Sequence, residues 1–260
     1  MKNRINQLFE TKKENILSVY FTAGFPNLND TVEIIQQLEE NGVDLVEIGI
    51  PFSDPTADGP IIQKSSENAL KNGMSLKLLF EQLKTVRESV NIPLILMGYF
   101  NPVFQFGVEQ FCQKCAEVGI DGAILPDLPL HEFEEEYKSI FKENNLHNIL
   151  LITPQTSESR INQIDAASEG FIYMVSSSST TGTGKKVEDF QLDYFERIKQ
   201  MKMKNPRLIG FGISDNATFN NACKYAEGAI IGSAFVKSLS ANPNLKESIP
   251  QFVKSIQKGK

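Results

Sequence analysis

Short apolar segments alternate with longer amphipathic ones along the chain. The apolar segments are rich in Val, Ile, Leu and Phe and show little polar alternation, a pattern typical of parallel strands covered on both faces. They span residues 16–22, 44–50, 93–99, 122–125, 149–153, 171–175, 207–211 and 228–231. The pattern therefore predicts eight buried strands.

Helical periodicity fills the intervals between these strands. Predicted helices cover residues 30–41, 74–90, 108–118, 131–144, 157–167, 187–203 and 216–226, and several are followed at once by glycine, as at Gly42 and Gly119. Successive strand–helix units without a break in composition predict an α/β fold, a closed (β/α)8 TIM barrel forming a single domain over residues 1–260. An extra N-terminal helix near residues 5–10 is expected to close the barrel floor, and a short extra helix at 234–239 follows strand eight.

Composition narrows the class of protein. The 26 basic and 32 acidic residues give a net charge of −6, which is a poor footprint for binding nucleic acid. No run of about 18 apolar residues predicts a membrane span, and the polar first 13 residues do not resemble a signal peptide. The chain is therefore expected to be cytoplasmic, with Cys112 and Cys115 as buried thiols of one helix rather than metal ligands or a redox pair.

The second strand carries an unusual carboxylate. Val46, Ile48 and Ile50 share one apolar face, whereas Glu47 and Gly49 share the other, so Glu47 is expected to point into the barrel. Burial of an unpaired carboxylate raises its pKa, which suits a group that gives and takes a proton near neutral pH. The alternative interpretation is a structural ion pair.

Two loops add candidate chemistry. Residues 51–60, with three prolines and two aspartates, form a stiff loop above strand two, so that Asp58 can face Glu47; taken alone, Asp58-Gly59-Pro60 is more often a turn. Residues 176–186 are rich in Ser, Thr and Gly and are typical of a mobile lid, or else of a surface linker. Ser179 and Lys186 depart from the P-loop pattern, so that motif is excluded.

A phosphate site is expected where the last strands end. Gly212 follows strand seven, and Gly232-Ser233 follows strand eight directly before the short extra helix. Backbone N–H groups at these positions form the usual phosphate site of this fold. Neither His131 nor His147 has the neighbours that zinc needs, so no metal is expected.

Together these segments resemble the tryptophan synthase α subunit family. The stretch EIGIPFSDPTADGP at residues 47–60 looks like the signature of that family, and TAGFP at 22–26, PDLP at 126–129 and the glycines after strands seven and eight extend the resemblance over the whole chain. The resemblance implies a lyase that cleaves indole-3-glycerol phosphate to indole and glyceraldehyde 3-phosphate in tryptophan biosynthesis. It also implies no cofactor in this chain, and an α2β2 complex in which a pyridoxal-phosphate β subunit receives the indole.

The resemblance also implies roles for particular residues. Glu47 matches the general acid/base of the family and Asp58 its second catalytic carboxylate. Further matches are the indole pocket (Phe21, Met97, Ile124, Tyr173 and Phe211), the phosphate site (Gly182, Gly212, Gly232 and Ser233) and the lid residue that closes onto Asp58 (Thr181).

Two other functions compete with this interpretation. Another phosphate-binding barrel enzyme, such as a ribulose-phosphate epimerase or indole-glycerol-phosphate synthase, would need metal-binding histidines or a catalytic lysine at the strand ends. A non-catalytic regulatory subunit would have no need of both Glu47 and Asp58. An assay for indole release separates the three.

Overall fold

Nine short parallel strands form one sheet at the centre of the chain. The computed structural model describes residues 2–176, 186–210 and 212–258, without the side chains of 186–191. The strands are β1 Ile16–Thr22, β2 Leu45–Gly49, β3 Leu94–Met97, β4 Gly122–Ile124, β5 His147–Asn148, β6 Leu150–Ile152, β7 Ile172–Val175, β8 Arg207–Gly210 and β9 Gly228–Ile231. Their order in the sheet is β5-β4-β3-β2-β1-β9-β8-β7-β6.

The sheet closes on itself through its fifth segment. Only Ile149 separates β5 from β6, and its N–H donates to the Ala123 carbonyl at 2.8 Å. Because β5 pairs with β4 and β6 pairs with β7, these two pieces act as one strand. The predicted eight-stranded barrel is therefore confirmed, with its fifth strand interrupted at one residue.

Helices cover the outside of the sheet and its floor. They are α1 Arg4–Thr11, α2 Thr31–Glu40, α3 Pro60–Lys71, α4 Leu76–Leu83, α5 Phe100–Phe106, α6 Val108–Val118, α7 Leu130–Glu132, α8 Lys138–Glu143, α9 Glu158–Ala167, α10 Lys186–Gln200, α11 Asn216–Ala222, α12 Ser233–Ala241 and α13 Leu245–Lys258. A π-helical segment, Phe133–Tyr137, joins α7 to α8. None of the helices in the described ranges is both long and apolar enough to cross a membrane.

The barrel has two apolar layers. Side chains that point outward pack under the helices in one large cluster, whereas those that point inward form a separate cluster. The inner cluster includes Ile16, Leu45, Ile95, Ile124, Phe171 and Ile230. Ile5 and Phe9 of α1 also belong to it, with the Phe9 and Phe171 ring centroids 5.7 Å apart. The predicted N-terminal helix therefore closes the barrel floor.

Several helices differ from the sequence expectation. The pattern misses α3 and α5, because α3 starts at Pro60, the last residue of the predicted loop 51–60, and α5 is only seven residues long. The predicted helix at 74–90 ends at Leu83 and is followed by a 3-10 turn, Val86–Glu88. Two valines and Thr85 lie in this stretch, and β-branched residues lower helix propensity. Cys112 and Cys115 are buried in α6, as expected.

Candidate active site

A cavity of about 470 Å³ opens where the strands end, within the usual size range for a small-molecule site. Its walls come from β1, β2, β3, β7 and β9 and from the segments that follow β2, β7, β8 and β9. The lining residues are Tyr20, Glu47, Asp58, Gly59, Pro60, Ile61, Ile62, Met97, Tyr173, Ser176, Gly212, Ile213, Ser214, Ile230, Gly232, Ser233 and Ala234. Seven of the predicted site residues are therefore brought together here.

Glu47 lies at the floor of this cavity and is fully buried. The Ser18 hydroxyl on neighbouring β1 donates to Glu47 Oε1 at 2.9 Å. Among the residues that the structure describes, Oε2 has no hydrogen-bond partner. Burial raises the pKa of Glu47 to about 8, although the Ser18 hydrogen bond opposes part of this rise. Glu47 is therefore mostly protonated at neutral pH and can donate a proton.

Asp58 faces the cavity from the loop between β2 and α3. The Tyr99 hydroxyl donates to Asp58 Oδ2 at 3.4 Å and accepts from the Ala57 N–H at 2.8 Å. The Tyr99 ring also packs against Phe52 of the same loop, with centroids 5.1 Å apart. Partial burial raises the pKa of Asp58 to about 6, with the Tyr99 hydrogen bond opposing the rise. Asp58 is therefore mostly ionised at neutral pH.

Two tyrosines form apolar walls beside Glu47. Tyr20 on β1 and Tyr173 on β7 are largely buried, and burial raises the pKa of each, so both stay neutral phenols. A methyl group at Gly49 would overlap the Tyr20 hydroxyl, and one at Gly210 would overlap the Tyr173 hydroxyl. These glycines leave the space in which the tyrosine rings lie.

The other predicted pocket residues lie in different places. Met97 lines the cavity, and Ile124 belongs to the inner barrel cluster that also includes Tyr173. Phe21, however, packs in the outer cluster under the helices and does not line the cavity. Successive residues of a strand point to opposite faces, so the prediction for Phe21 is off by one residue, and Tyr20 takes the inward position.

Glycines at two strand ends shape the far wall. Gly212 has a φ of +75°, which glycine adopts without strain. Gly232 is the N-cap of nine-residue α12, and Ser233 is its first residue. The N-terminus of α12 thus meets the cavity beside Gly212, an arrangement that favours an anion. The predicted extra helix after the last strand is therefore present.

Three predicted residues, Thr181, Gly182 and Phe211, lie outside the described residues, and their roles stay predictions. His131 is exposed on α7. His147 is in β5, with its Nε2 3.1 Å from the Asn6 side chain of the floor helix. In the described part of the chain, no three His, Cys, Asp or Glu side chains cluster as metal ligands would.

The chain is of the (β/α)8-barrel class, and its cavity brings together two carboxylates that could carry out acid–base chemistry. The model of the tryptophan synthase alpha chain family matches residues 6–259. The chain belongs to this family, and it is a carbon–carbon lyase.

Similar proteins and solved structures agree with this family assignment. The tryptophan synthase alpha chain of Flavobacterium psychrophilum is 59% identical over 98% of this chain and 99% of its own length. That of Flavobacterium johnsoniae is 60% identical over 98% and 100%. The crystal structure of tryptophan synthase subunit alpha from Legionella pneumophila is 30% identical and superimposes with a TM-score of 0.87, covering 100% of this chain and 98% of its own.

Proposed function

We propose that Glu47 and Asp58 catalyse the family reaction in this cavity, the cleavage of indole-3-glycerol phosphate to indole and glyceraldehyde 3-phosphate. One observation carries the assignment: the two carboxylates line the same cavity and have pKa values on opposite sides of neutrality. Environments that push two pKa values apart define an acid and a base. Glu47 starts as the proton donor and Asp58 as the anion.

The proton balance fits this pair. Glu47 donates its proton to indole C3, and the resulting positive charge is shared with the ring nitrogen, whose N–H donates to the Asp58 carboxylate. Glu47, now ionised, takes the proton of the glycerol hydroxyl next to the scissile bond. The C–C bond then breaks, its electron pair returns to the ring, and the hydroxyl carbon becomes the aldehyde. Glu47 ends protonated, as it began.

The remaining walls supply binding. Tyr20, Met97 and Tyr173 offer an apolar surface for the indole ring. The backbone at Gly212, Gly232 and Ser233, with the N-terminus of α12, is placed to hold the phosphate. The substrate would then span the cavity from the carboxylates to α12.

The partner is part of the proposal. We infer that the chain assembles with a tryptophan synthase β subunit, as α2β2, and passes indole to the pyridoxal phosphate held there. Family membership supports this, as does an apolar side chain exposed on α5, Phe104, which is 57% exposed. Helix α5 follows β3 and begins directly after Tyr99, whose hydroxyl hydrogen-bonds the Asp58 loop.

The direct test is indole release by the purified chain, alone and with a β subunit. Indole and glyceraldehyde 3-phosphate should appear in equal amounts. An epimerase would turn over a pentose phosphate and release no indole. A non-catalytic subunit would bind the β subunit and release no indole.

Gly232→Val tests the phosphate site. A Cβ atom at residue 232 would lie 3.3 Å from Tyr20 Cδ1, so the valine methyls must crowd Tyr20 or the cavity. The φ of −115° suits any residue, so the backbone should tolerate the change. We expect a Michaelis constant raised roughly tenfold or more, since one misfitting methylene in a binding pocket is worth about 1–3 kcal/mol. Inhibition by inorganic phosphate should weaken while inhibition by indole persists. Unchanged inhibition by inorganic phosphate, with an unchanged Michaelis constant, would contradict the assignment.

Tyr99→Phe tests the support of Asp58. The variant keeps the ring against Phe52 but removes the donor to Asp58, so the pKa of Asp58 should rise above about 6. Less of the anion is then present at neutral pH, and the acidic limb of the kcat/KM profile should move to higher pH. Activity should fall severalfold at pH 6 and less at pH 8. Tyr137→Phe, whose ring packs on Phe100 outside the cavity, is the control, and an unmoved limb in Tyr99→Phe would refute the role.

A further inference from the structure

A serine interrupts the apolar interior of the barrel directly below Glu47. Ser18 is fully buried on β1, where it pairs in register with Leu45 of β2 and Ile230 of β9. Both of those neighbours belong to the inner apolar cluster. An alanine would fill nearly the same volume without burying a hydroxyl, which costs free energy unless it is hydrogen-bonded. Packing alone therefore gives no reason for a serine at this position.

The register places Ser18 on the floor side of the carboxylate. Glu47 pairs with Tyr20, two residues further along β1, so Ser18 approaches from the amino-terminal end of the strands. Its hydroxyl donates to Oε1 at 2.9 Å, and Oε2 is left without a partner within the described residues. The two carboxylate oxygens are thereby made different: one is held by the barrel and the other is free to meet a ligand.

We propose that Ser18 is a positioning residue, whose hydroxyl holds Oε1 of Glu47 so that Oε2 is the oxygen that exchanges protons with the substrate. The second half of this statement rests on the proposed function, whereas the first half concerns the chain alone. Which oxygen faces the substrate is important, because proton transfer requires that oxygen to lie at hydrogen-bond distance and in the right direction from the reacting atom. Without the Ser18 bond the carboxylate could rotate and present either oxygen.

The groups around Glu47 do not titrate in the same pH range, so its own titration can be followed separately. Among the described residues, the titratable groups that face it from other elements are Tyr20 on β1, Tyr173 on β7 and Asp58 on the loop after β2. Both tyrosines have raised pKa values and stay neutral through the titration of Glu47. Asp58, with a pKa of about 6, ionises first. A change confined to Ser18 leaves all three in place.

The test is Ser18→Ala, measured in two ways on the full chain. Carbon-13 NMR of glutamate-labelled protein follows the Glu47 carboxyl, whose signal is assigned by its loss in Glu47→Gln. Loss of a hydrogen bond to the charged form should move the midpoint up from about 8 by roughly one pH unit. In the cleavage assay kcat should fall about tenfold, since a misplaced proton donor loses part of its effect, while KM stays within about twofold because no binding contact is removed.

Two variants separate positioning from simple loss of a buried serine. Ser168→Ala removes another buried hydroxyl, which donates to the Ile164 carbonyl at 2.7 Å, and should leave the Glu47 titration and kcat unchanged. Ser18→Thr keeps the donor and should restore the wild-type midpoint. If Ser18→Ala titrates as the wild type does and keeps its kcat, the proposal is overturned. If the wild type releases no indole, the proposed function fails, yet the NMR midpoint still decides whether Ser18 holds Glu47.

Discussion

Glu47→Gln should abolish nearly all cleavage of indole-3-glycerol phosphate, with a loss of about 10²–10⁴-fold or more, because proton transfer by a positioned group contributes about that much and Glu47 has two transfers to make. Glutamine has the same shape, and its Oε1 can still accept the Ser18 hydrogen bond. It cannot donate an acidic proton to indole C3 or take one from the hydroxyl. The measurement is kcat for indole release, with the Michaelis constant expected to change little.

The matched control is Glu143→Gln, the same change at an exposed position of α8. This variant should cleave at the wild-type rate, and both variants should show the wild-type circular dichroism spectrum. A Glu47→Gln enzyme that kept more than about a tenth of the wild-type rate would exclude Glu47 as the proton donor. That result would not affect the proposed roles of Asp58 and of the phosphate site, since Tyr99→Phe and Gly232→Val test these separately.

Much of the fold could be predicted from periodicity. Strands buried on both faces read as apolar runs, and their spacing along the chain indicated a closed barrel. Glu47 could also be selected from sequence, because strand alternation places this carboxylate on the inward face of β2, opposite the apolar face that packs under the helices. The single-domain interpretation of residues 1–260 stays a prediction, although one sheet and one family match span most of the chain.

The wall residues of the cavity show where sequence reasoning was too weak. Phe21 was placed in the pocket by resemblance, yet β1 itself carries the correct signal. Ser18 and Tyr20 are polar or amphipathic, whereas Leu17, Val19 and Phe21 are uniformly apolar, and the second set packs under the helices. The alternation of side chains along β1 points Tyr20 into the barrel, just as the alternation along β2 points Glu47 inward.

The hydrogen bonds that support the two carboxylates could not be predicted from sequence. Ser18 is 29 residues from Glu47, and Tyr99 is 41 residues from Asp58, so neither hydrogen bond follows from local spacing. Each depends on the register of neighbouring strands or on the path of a loop across a strand end. The consequence is that the catalytic carboxylates could be proposed from sequence, but the groups that adjust their pKa values could not.

The second large effect concerns stability rather than rate. The pKa of Glu47 is raised by burial from an ordinary value near 4.5 to about 8 in the folded chain. Between these values the folded state binds a proton that the unfolded state has lost, so the free energy of unfolding falls as pH rises. The loss begins near the unfolded pKa and is complete above the folded one. Its total is on the order of several kcal/mol, since each unit of pKa shift is worth about 1.4 kcal/mol.

Glu47→Gln removes this penalty, because the glutamine amide is neutral at every pH. We expect the variant and the wild type to be about equally stable near pH 4.5, and the variant to be increasingly more stable up to about pH 8. Urea unfolding of both proteins between pH 4.5 and 9 measures the difference, in which all other titrating groups cancel. Glu143→Gln should give a small difference with no such slope. If the difference in free energy of unfolding between Glu47→Gln and the wild type did not grow with pH, the pKa of Glu47 would not be raised in the folded chain. The reason for assigning the first proton transfer to Glu47 would then be removed. A growing advantage, together with lost cleavage, would mean that the protonated carboxyl needed for the first proton transfer also makes the folded chain less stable as pH rises from about 4.5 to 8.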